Sequence, residues 1–490
     1  MLYRQYDEIR HLVDKVFISL PENFELHHAD RQQIENLGIQ IIYCESTLNI
    51  GEALAQCINT IGVYDCEFLV LYGDTIISGL ESFPCDGVSV HASIGEYRWA
   101  ELKRLFGLRA EEHLKGTLSG LFAFSSVPEL LRSIIRAKGD FLEAIRLYDQ
   151  VHEIAIVDTG QWYDFGHVQT YFQSTGLITT ERGFNRLKIT AREVVKGSEN
   201  DRKIRAEAAW FSDIPARLTC FTPAFLGARD INGLSGYATA NTYLSTLSHL
   251  AVFGDLQADT WVNIFNACSE FLRESRSARA VKSLGIAANE YFGQKTQERL
   301  ETLARSEHGA QLLGCRRMNG KNLPDISEML AVTDEIIRDL DHGPECLIHG
   351  DFCFSNIFYD FRSASIKVID PRGELPDGRR SIYGLQSYDI AKLAHSVLGG
   401  YDLIIAGYVR GEIRGDTLTM DAPHHDNHRW QRLISAFDAS EVAQIHNVRA
   451  INAMLMHLFL SMLPLHADRP DRQIAMLGTA YKSFDILTER

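Results

Sequence analysis

The sequence predicts two bodies of different class, an α/β domain followed by an α+β domain. Three observations point that way. Short β-branched runs alternate with helical stretches over the first third of the chain. The alternation stops near residue 178, where an antiparallel ribbon begins. At 490 residues the chain also exceeds one ordinary core, since domains run to roughly 150 residues.

Val16–Pro21 (VFISLP) and Ile39–Glu45 (IQIIYCE) read as buried strands. Gly51–Gly62 has helical apolar spacing, and Glu67–Thr75 (EFLVLYGDT) is a strand ending in an acid. Val127–Val151 reads as two helices broken at Gly139. This grammar implies a mostly parallel sheet with helices on both faces. Ile178–Ser198 then reads as the ribbon and Asp201–Ile214 as a helix. Residues 240–345 are mostly helical in pattern, Glu345–Asp360 and Ala364–Gly373 form a loop-and-hairpin unit, and the remainder is helical. No internal repeat or low-complexity linker stands out, and the expected joint is Gln173–Thr180. The domains are therefore expected at 1–177, 178–255 and a mostly helical 256–490.

Hydrophobic residues make up 45% and charged residues 23%, the balance of a folded chain rather than a disordered one. A net charge of −15 makes a generic nucleic-acid or anionic-membrane binder a poor reading. The nine cysteines are odd in number and contain no C-x-x-C pair, so reduced thiols are expected rather than a zinc or disulfide framework. The opening residues are charged and do not read as a signal peptide. Ile451–Leu465 is apolar but too short to span a bilayer and carries His457 and Pro464, so it reads as a core helix without membrane insertion. A cytoplasmic location is the expectation.

The strongest chemical signal is His349-Gly350-Asp351, followed by Asn356 and, after the next strand, Asp370. Phosphoryl transfer needs a group that takes or orients the acceptor's hydroxyl proton, and hard oxygen ligands for Mg²⁺ on the nucleotide phosphates. Asp351 suits the first role; Asn356 and Asp370 suit the second. HGDFCFSN followed by VIDPRG resembles the catalytic loop and metal-binding motif of the aminoglycoside phosphotransferase and choline kinase group. SYDIAKLAHS (Ser387–Ser396) resembles the segment that follows in that group. The resemblance implies a protein-kinase-like fold over about residues 179–490, with 178–255 as the smaller lobe. It also implies ATP as co-substrate, Mg²⁺, a small-molecule hydroxyl acceptor, and His349 and Asp351 at the catalytic centre. Such a fold needs a strand lysine for the phosphates and a helix glutamate to hold it. Lys196 and Glu207 fit, with Lys203 and Glu199 as alternatives. Arg182-Gly183-Phe184-Asn185 is the candidate phosphate-covering turn, with Asn185 at the nucleotide.

The first third resembles the sugar-nucleotide pyrophosphorylase group of nucleotidyltransferases, with its Rossmann-like sheet. LVLYGDT places Asp74, and WYDFGHVQTY places Asp164, where that group has metal-binding acids. GLFAFS (Gly120–Ser125) resembles its substrate-side strand, and Gly51 its nucleoside-contacting turn. The resemblance implies a bound sugar phosphate or nucleotide. The Gly-rich loop and Pro-Lys motif that open the group, and that cradle its triphosphate, do not appear in the sequence. Together the two likenesses imply a small-molecule kinase fused to a nucleotidyltransferase-like domain, in surface polysaccharide (capsule) precursor synthesis. Both halves active, an antibiotic-modifying kinase and a non-catalytic assembly protein are the alternatives. The oligomeric state is not readable. His424–His428 reads as a solvated loop rather than a metal site.

Overall fold

In the computed structural model, which describes residues 1–24, 26, 28–92, 105–106, 116–167, 170–172, 174–175, 185–421 and 428–488, the chain divides into two units, Met1–Thr180 and Glu181–Arg490.

The first unit opens with a helix that the sequence reading did not anticipate, α1 (Leu2–Ile9). Strand β1 (Phe17–Pro21), helix α2 (His28–Asn36) and strand β2 (Gln40–Cys44) follow, and β1 and β2 pair in parallel. Helix α3 (Ile50–Ile61) starts with a full capping box between Asn49 and Glu52. Then come β3 (Phe68–Leu71), β4 (Thr75–Ser78), β5 (Gly87–Ala92), β6 (Gly116–Phe124), α4 (Val127–Arg136), α5 (Phe141–Asp149), β7 (Ala155–Asp158) and β8 (Gln161–Asp164). The main sheet has the order β3-β6-β5-β7, and β4 pairs with β8 in a second ribbon.

That sheet is mixed, not mostly parallel. β3 and β5 both run antiparallel to β6, and only β5–β7 is parallel within it. The one parallel pair of this sheet, β5–β7, is the pair whose connection carries the helices α4 and α5. α4 and α5 cover the sheet, burying Leu130, Ile134, Phe141, Ile145 and Tyr148 against Phe122 and Phe124. Between them, at Gly139, the backbone meets α3, and a Cβ on Gly51 would strike the Gly139 carbonyl oxygen. Gly51, expected at a nucleoside, is accounted for by this close helix contact.

The second unit begins with a four-stranded antiparallel sheet of order β11-β12-β10-β9. The expected ribbon is β9 (Asn185–Ile189) with β10 (Glu193–Ser198). Helix α6 (Asp201–Asp213), capped by Asn200, follows. The hairpin β11 (Phe225–Ile231) and β12 (Leu234–Ala240) completes the sheet. It turns on Asn232 and Gly233, both at positive φ, the pair that a two-residue hairpin favours.

The rest is mostly helical, with α7 (Ala258–Ser277), α8 (Gly293–Leu303), α9 (Ile326–Asp339), α10 (Gln386–Val397), α11 (Val448–Met462) and α12 (Pro470–Thr488). Ala450–Met462 are all buried, so the apolar run is a core helix. Short strands β13 (Ser245–Thr246), β14 (Arg317–Met318) and β15 (Lys321–Asn322) interrupt the helices, and the last stretch, expected to be helical, departs from that expectation because β20 (Arg410–Arg414) and β21 (Thr417–Asp421) form a hairpin. Its alternation decides the period: Leu418 and Met420 face the core while Thr417, Thr419 and Asp421 do not. The functional segment lies between β16 (Glu345–Leu347), paired with β19 (Tyr383–Leu385), and the hairpin of β17 (Ile357–Asp360) and β18 (Ser365–Val368).

Candidate active site

β16 delivers the chain into a loop, residues 348–356, whose shape is set by hydrogen bonds from buried partners. The Trp210 indole donates to the Ile348 carbonyl at 2.8 Å. The backbone N–H groups of His349 and Gly350 donate to the two oxygens of Asp389, each at 2.7 Å. Burial raises the Asp389 carboxyl to about 7 although both N–H bonds oppose that shift. Gly350 sits at φ 79°, and a Cβ there would lie 2.7 Å from Arg372 Cβ.

His349 is fully buried, with Nε2 2.9 Å from the Ile369 carbonyl and Nδ1 3.3 Å from the Asp351 N–H. The partners assign the tautomer: Nε2 donates and Nδ1 accepts. Burial lowers its pKa to about 4, so the ring is neutral. Expected at the catalytic centre, His349 instead positions the loop, because both ring nitrogens are spent on backbone.

Asp351 follows. Asn356 Nδ2 donates to the Asp351 carbonyl at 2.9 Å and to its Oδ2 at 3.1 Å. Lys392 Nζ lies 2.8 Å from Oδ1. Burial works to raise this carboxyl, but Lys392 and Arg372 outweigh it and hold it well below the usual range.

Asp370 stands just past β18. Its Oδ1 is 3.0 Å from Lys196 Nζ, which also donates to Glu207 Oε2 at 2.8 Å. The Tyr237 hydroxyl donates to Glu207 as well, at 3.2 Å. Burial alone would lower the Lys196 pKa, and Asp370 and Glu207 reverse this and raise it. Of the alternatives, Lys203 is half exposed and 3.9 Å from Glu207, and Glu199 is exposed. Asp370 has φ 58°, a left-handed backbone that costs a non-glycine residue. Its side chain is 43% exposed, whereas that of Glu207 is 4% exposed. Asn356 turns its amide nitrogen to Asp351, and its oxygen, which accepts from the Ser355 hydroxyl at 3.4 Å, is with a carboxylate oxygen of Asp370 a hard donor that fits Mg²⁺. Among the described residues no group of three or more His, Cys, Asp or Glu is placed to hold a metal.

The sequence reading missed the cations here. Lys392 and Tyr388 lie on α10, Lys295 on α8, and Arg372 two residues beyond Asp370. The Tyr388 hydroxyl is 3.3 Å from an Arg372 guanidinium nitrogen and 3.2 Å from Lys295 Nζ. A usable signal existed: Tyr388 and Lys392 are four apart, on one helix face, beside Asp389 in the quoted segment.

In the first unit, β4–β8 pairing sets Thr75 opposite Asp164 and so brings Asp74 and Asp164 together. A Cβ on Gly166 would lie against Asp74 Oδ2 and 3.4 Å from Asp164 Oδ1. Asp164 is 6% exposed and its oxygens hold its own turn: Gly166 N–H at 2.9 Å, His167 Nδ1 at 2.8 Å and the Thr170 hydroxyl at 2.6 Å. Asn185 opens β9, opposite Ser198. Arg182–Phe184, most of the expected joint Gln173–Thr180, and His424–Asn427 lie outside the described residues.

No family model matches the chain, and no curated protein matches it. Among solved structures, a glucosamine kinase is 14% identical, with 61% of this chain and 74% of that chain covered and a TM-score of 0.39. An aminoglycoside phosphotransferase in ternary complex with AMP-PNP and hygromycin B is 10% identical, with 64% and 93% covered and a TM-score of 0.39. A gentamicin complex of another such phosphotransferase is 13% identical, with 66% and 97% covered and a TM-score of 0.33. Scores this low leave the function to the geometry of the site.

Proposed function

We propose that residues 181–490 form an ATP-dependent kinase that phosphorylates a hydroxyl of a small molecule, a sugar, polyol or amino alcohol. One observation carries the reading: a single buried lysine, Lys196, bridges Glu207 and Asp370, while Asp351 is presented beside Asn356 from the neighbouring loop. Lys196, steadied by Glu207, would hold nucleotide phosphates, with Asn185 at the nucleotide. Asn356 and Asp370 would hold Mg²⁺, which when bound neutralises charge on the phosphates. Asp351, kept ionised by Lys392, would orient the acceptor hydroxyl and take its proton late in transfer.

For the first unit, the convergence of Asp74 and Asp164 over Gly166 supports a ligand-binding role toward a sugar phosphate or nucleotide. A kinase makes a phosphate ester and a nucleotidyltransferase consumes one, so the pair suits cytoplasmic supply of a surface-polysaccharide precursor. That finer reading rests on the sequence motifs alone. The test is ATP consumption by the full chain across sugars, polyols, amino alcohols and aminoglycosides, repeated with Asp351→Asn. Turnover that survives unchanged in the variant would remove Asp351 from the mechanism.

A further inference from the structure

Beside Asp351 the protein gathers more positive charge than its own acids neutralise. Lys392 is matched by Asp351 itself. Among the described residues no carboxylate lies within ion-pair distance of Lys295 or Arg372, although Arg372 is drawn on by Asp351 and Glu374 from farther off, and what the two share in direct contact is the Tyr388 phenol. Each also lies over the Tyr388 ring, at 5.6 Å from its centroid. Arg299, one turn along α8 from Lys295, spends its guanidinium on the Ser461 carbonyl at 2.7 Å and adds a further cation to the same region.

The side chains respond as a cluster short of anions should. Burial, with Arg372 and Arg299 adding to it, lowers Lys295 to about 8. Burial works to raise the Tyr388 hydroxyl, and Arg372, Lys295 and Lys392 together bring it down to about 7. The phenol is thus drawn toward the phenolate by the cations in contact with it, against the opposing effect of Asp351. Buried cations left without a counter-anion are costly, and a bound anion removes that penalty. A cation brought to the same place meets like-charge repulsion. The net charge of −15 is no guide here, since the local field and not the sum decides what enters a cleft.

We infer that the acceptor is an anion, a sugar or polyol bearing a carboxylate or a phosphate, which Lys295 and Arg372 hold while its hydroxyl meets Asp351. The inference rests on the kinase reading and narrows its substrate class. The nucleotide has its own cation in Lys196, on β10; the second set comes from α8, α10 and the segment after Asp370. A forked guanidinium beside a lysine matches a carboxylate or phosphate by geometry as well as charge.

The test is calorimetry on the full chain saturated with Mg·AMP-PNP, using matched probes. Glucuronate and glucose 6-phosphate are compared with glucose and glucosamine; glycerate and 3-phosphoglycerate are compared with glycerol and ethanolamine. At least one anionic probe is expected to bind about tenfold or more tighter than its neutral and cationic partners, a difference of about 1.4 kcal/mol. Which anionic arm binds separates carboxylate from phosphate. Lys295→Met is expected to weaken that probe about tenfold and Lys295→Arg to keep it. Arg372→Gln serves the same purpose if Lys295→Met does not fold by circular dichroism. The inference is overturned if a neutral or cationic probe binds best, if no anionic probe binds, or if Lys295→Met and Arg372→Gln both leave the anion's affinity unchanged. It is also overturned if anions bind only when AMP-PNP is left out, for then the cations serve the nucleotide. Failure of AMP-PNP itself to bind counts against the kinase reading instead. An anion that still binds through Lys295 in that case keeps the cation site.

Discussion

The two units both bring carboxylates together, and they hold them in opposite ways. In the second unit three acids of the site answer to cations, Asp351 to Lys392, and Asp370 and Glu207 to Lys196. In the first, Asp164 is held by hydrogen bonds from its own turn, and among the described residues neither it nor Asp74 pairs with lysine or arginine. Cations aim carboxylates inside a protein and place them for phosphate chemistry. Acids fixed by their own loop define the loop first. The contrast separates a site built around charge from one built around a turn.

The largest effect that would sharpen this contrast is expected at Asp351. Asp351→Asn keeps the shape but removes the proton acceptor, so turnover of an identified acceptor should fall ~10²–10⁴-fold while Mg·ATP binding survives. Steady-state rates and calorimetry together would show it. Next comes Lys196→Met, which leaves the buried Glu207 without its cation. Breaking such a pair costs about 3–5 kcal/mol, to be read as a lower denaturant midpoint together with weakened Mg·ATP binding. An unchanged midpoint and unchanged ATP affinity would move the nucleotide site elsewhere.

Acid should distinguish the units too. Among the described residues the buried histidines, His349, His395, His446 and His457, all lie in the second unit. His395 is packed against Tyr401 and Phe459, and neither ring nitrogen has a hydrogen-bond partner among the described residues. Burial, then Lys392, lowers its pKa well below 6.5. With the folded value depressed, the unfolded chain binds the proton first. The stability His395 contributes is therefore present above about pH 6.5 and lost below it, at about 1.4 kcal/mol per pH unit. His395→Phe should flatten that slope in urea melts between pH 7 and 5, and an identical slope would refute the assignment. The smallest effect is expected in the first unit. Asp164→Ala strips hydrogen bonds from one turn and should cost about 1–3 kcal/mol, whereas Asp74→Ala should cost less. Equal losses would contradict a turn-holding role for Asp164. Pyrophosphate release from a triphosphate and a sugar phosphate, abolished by Asp74→Ala, would show that the first unit is an enzyme after all.

What was legible in the sequence was what is local. Asp351, Asn356 and Asp370 lie within one loop and hairpin, so residue type and spacing were enough to mark them. Lys196 and Glu207 were marked by a strand-then-helix pattern over a short separation. Lys295 and Arg372 could not be read this way, because they meet at Tyr388 from separate elements and nothing in either neighbourhood announces the other. The missed β20–β21 hairpin failed for a different reason. Its apolar residues alternate over too few positions to outweigh the helical sequence on either side, although Gly415 at φ 62° marks the turn. The parallel sheet expected in the first unit took every helix as a crossover between neighbouring strands, and only β5–β7 uses α4 and α5 in that way.

Asp370 carries one more consequence. Its left-handed backbone is a conformation that glycine takes without cost and that asparagine tolerates about as well as aspartate does. Asp370→Gly would relieve the strain and leave Lys196 its second partner, Glu207. The fold would thus gain where the chemistry is lost. Descendants of this chain released from the need to bind a metal-chelated nucleotide would be drawn toward glycine at this one position, and sequences that keep the acid record a need that stability alone would have erased.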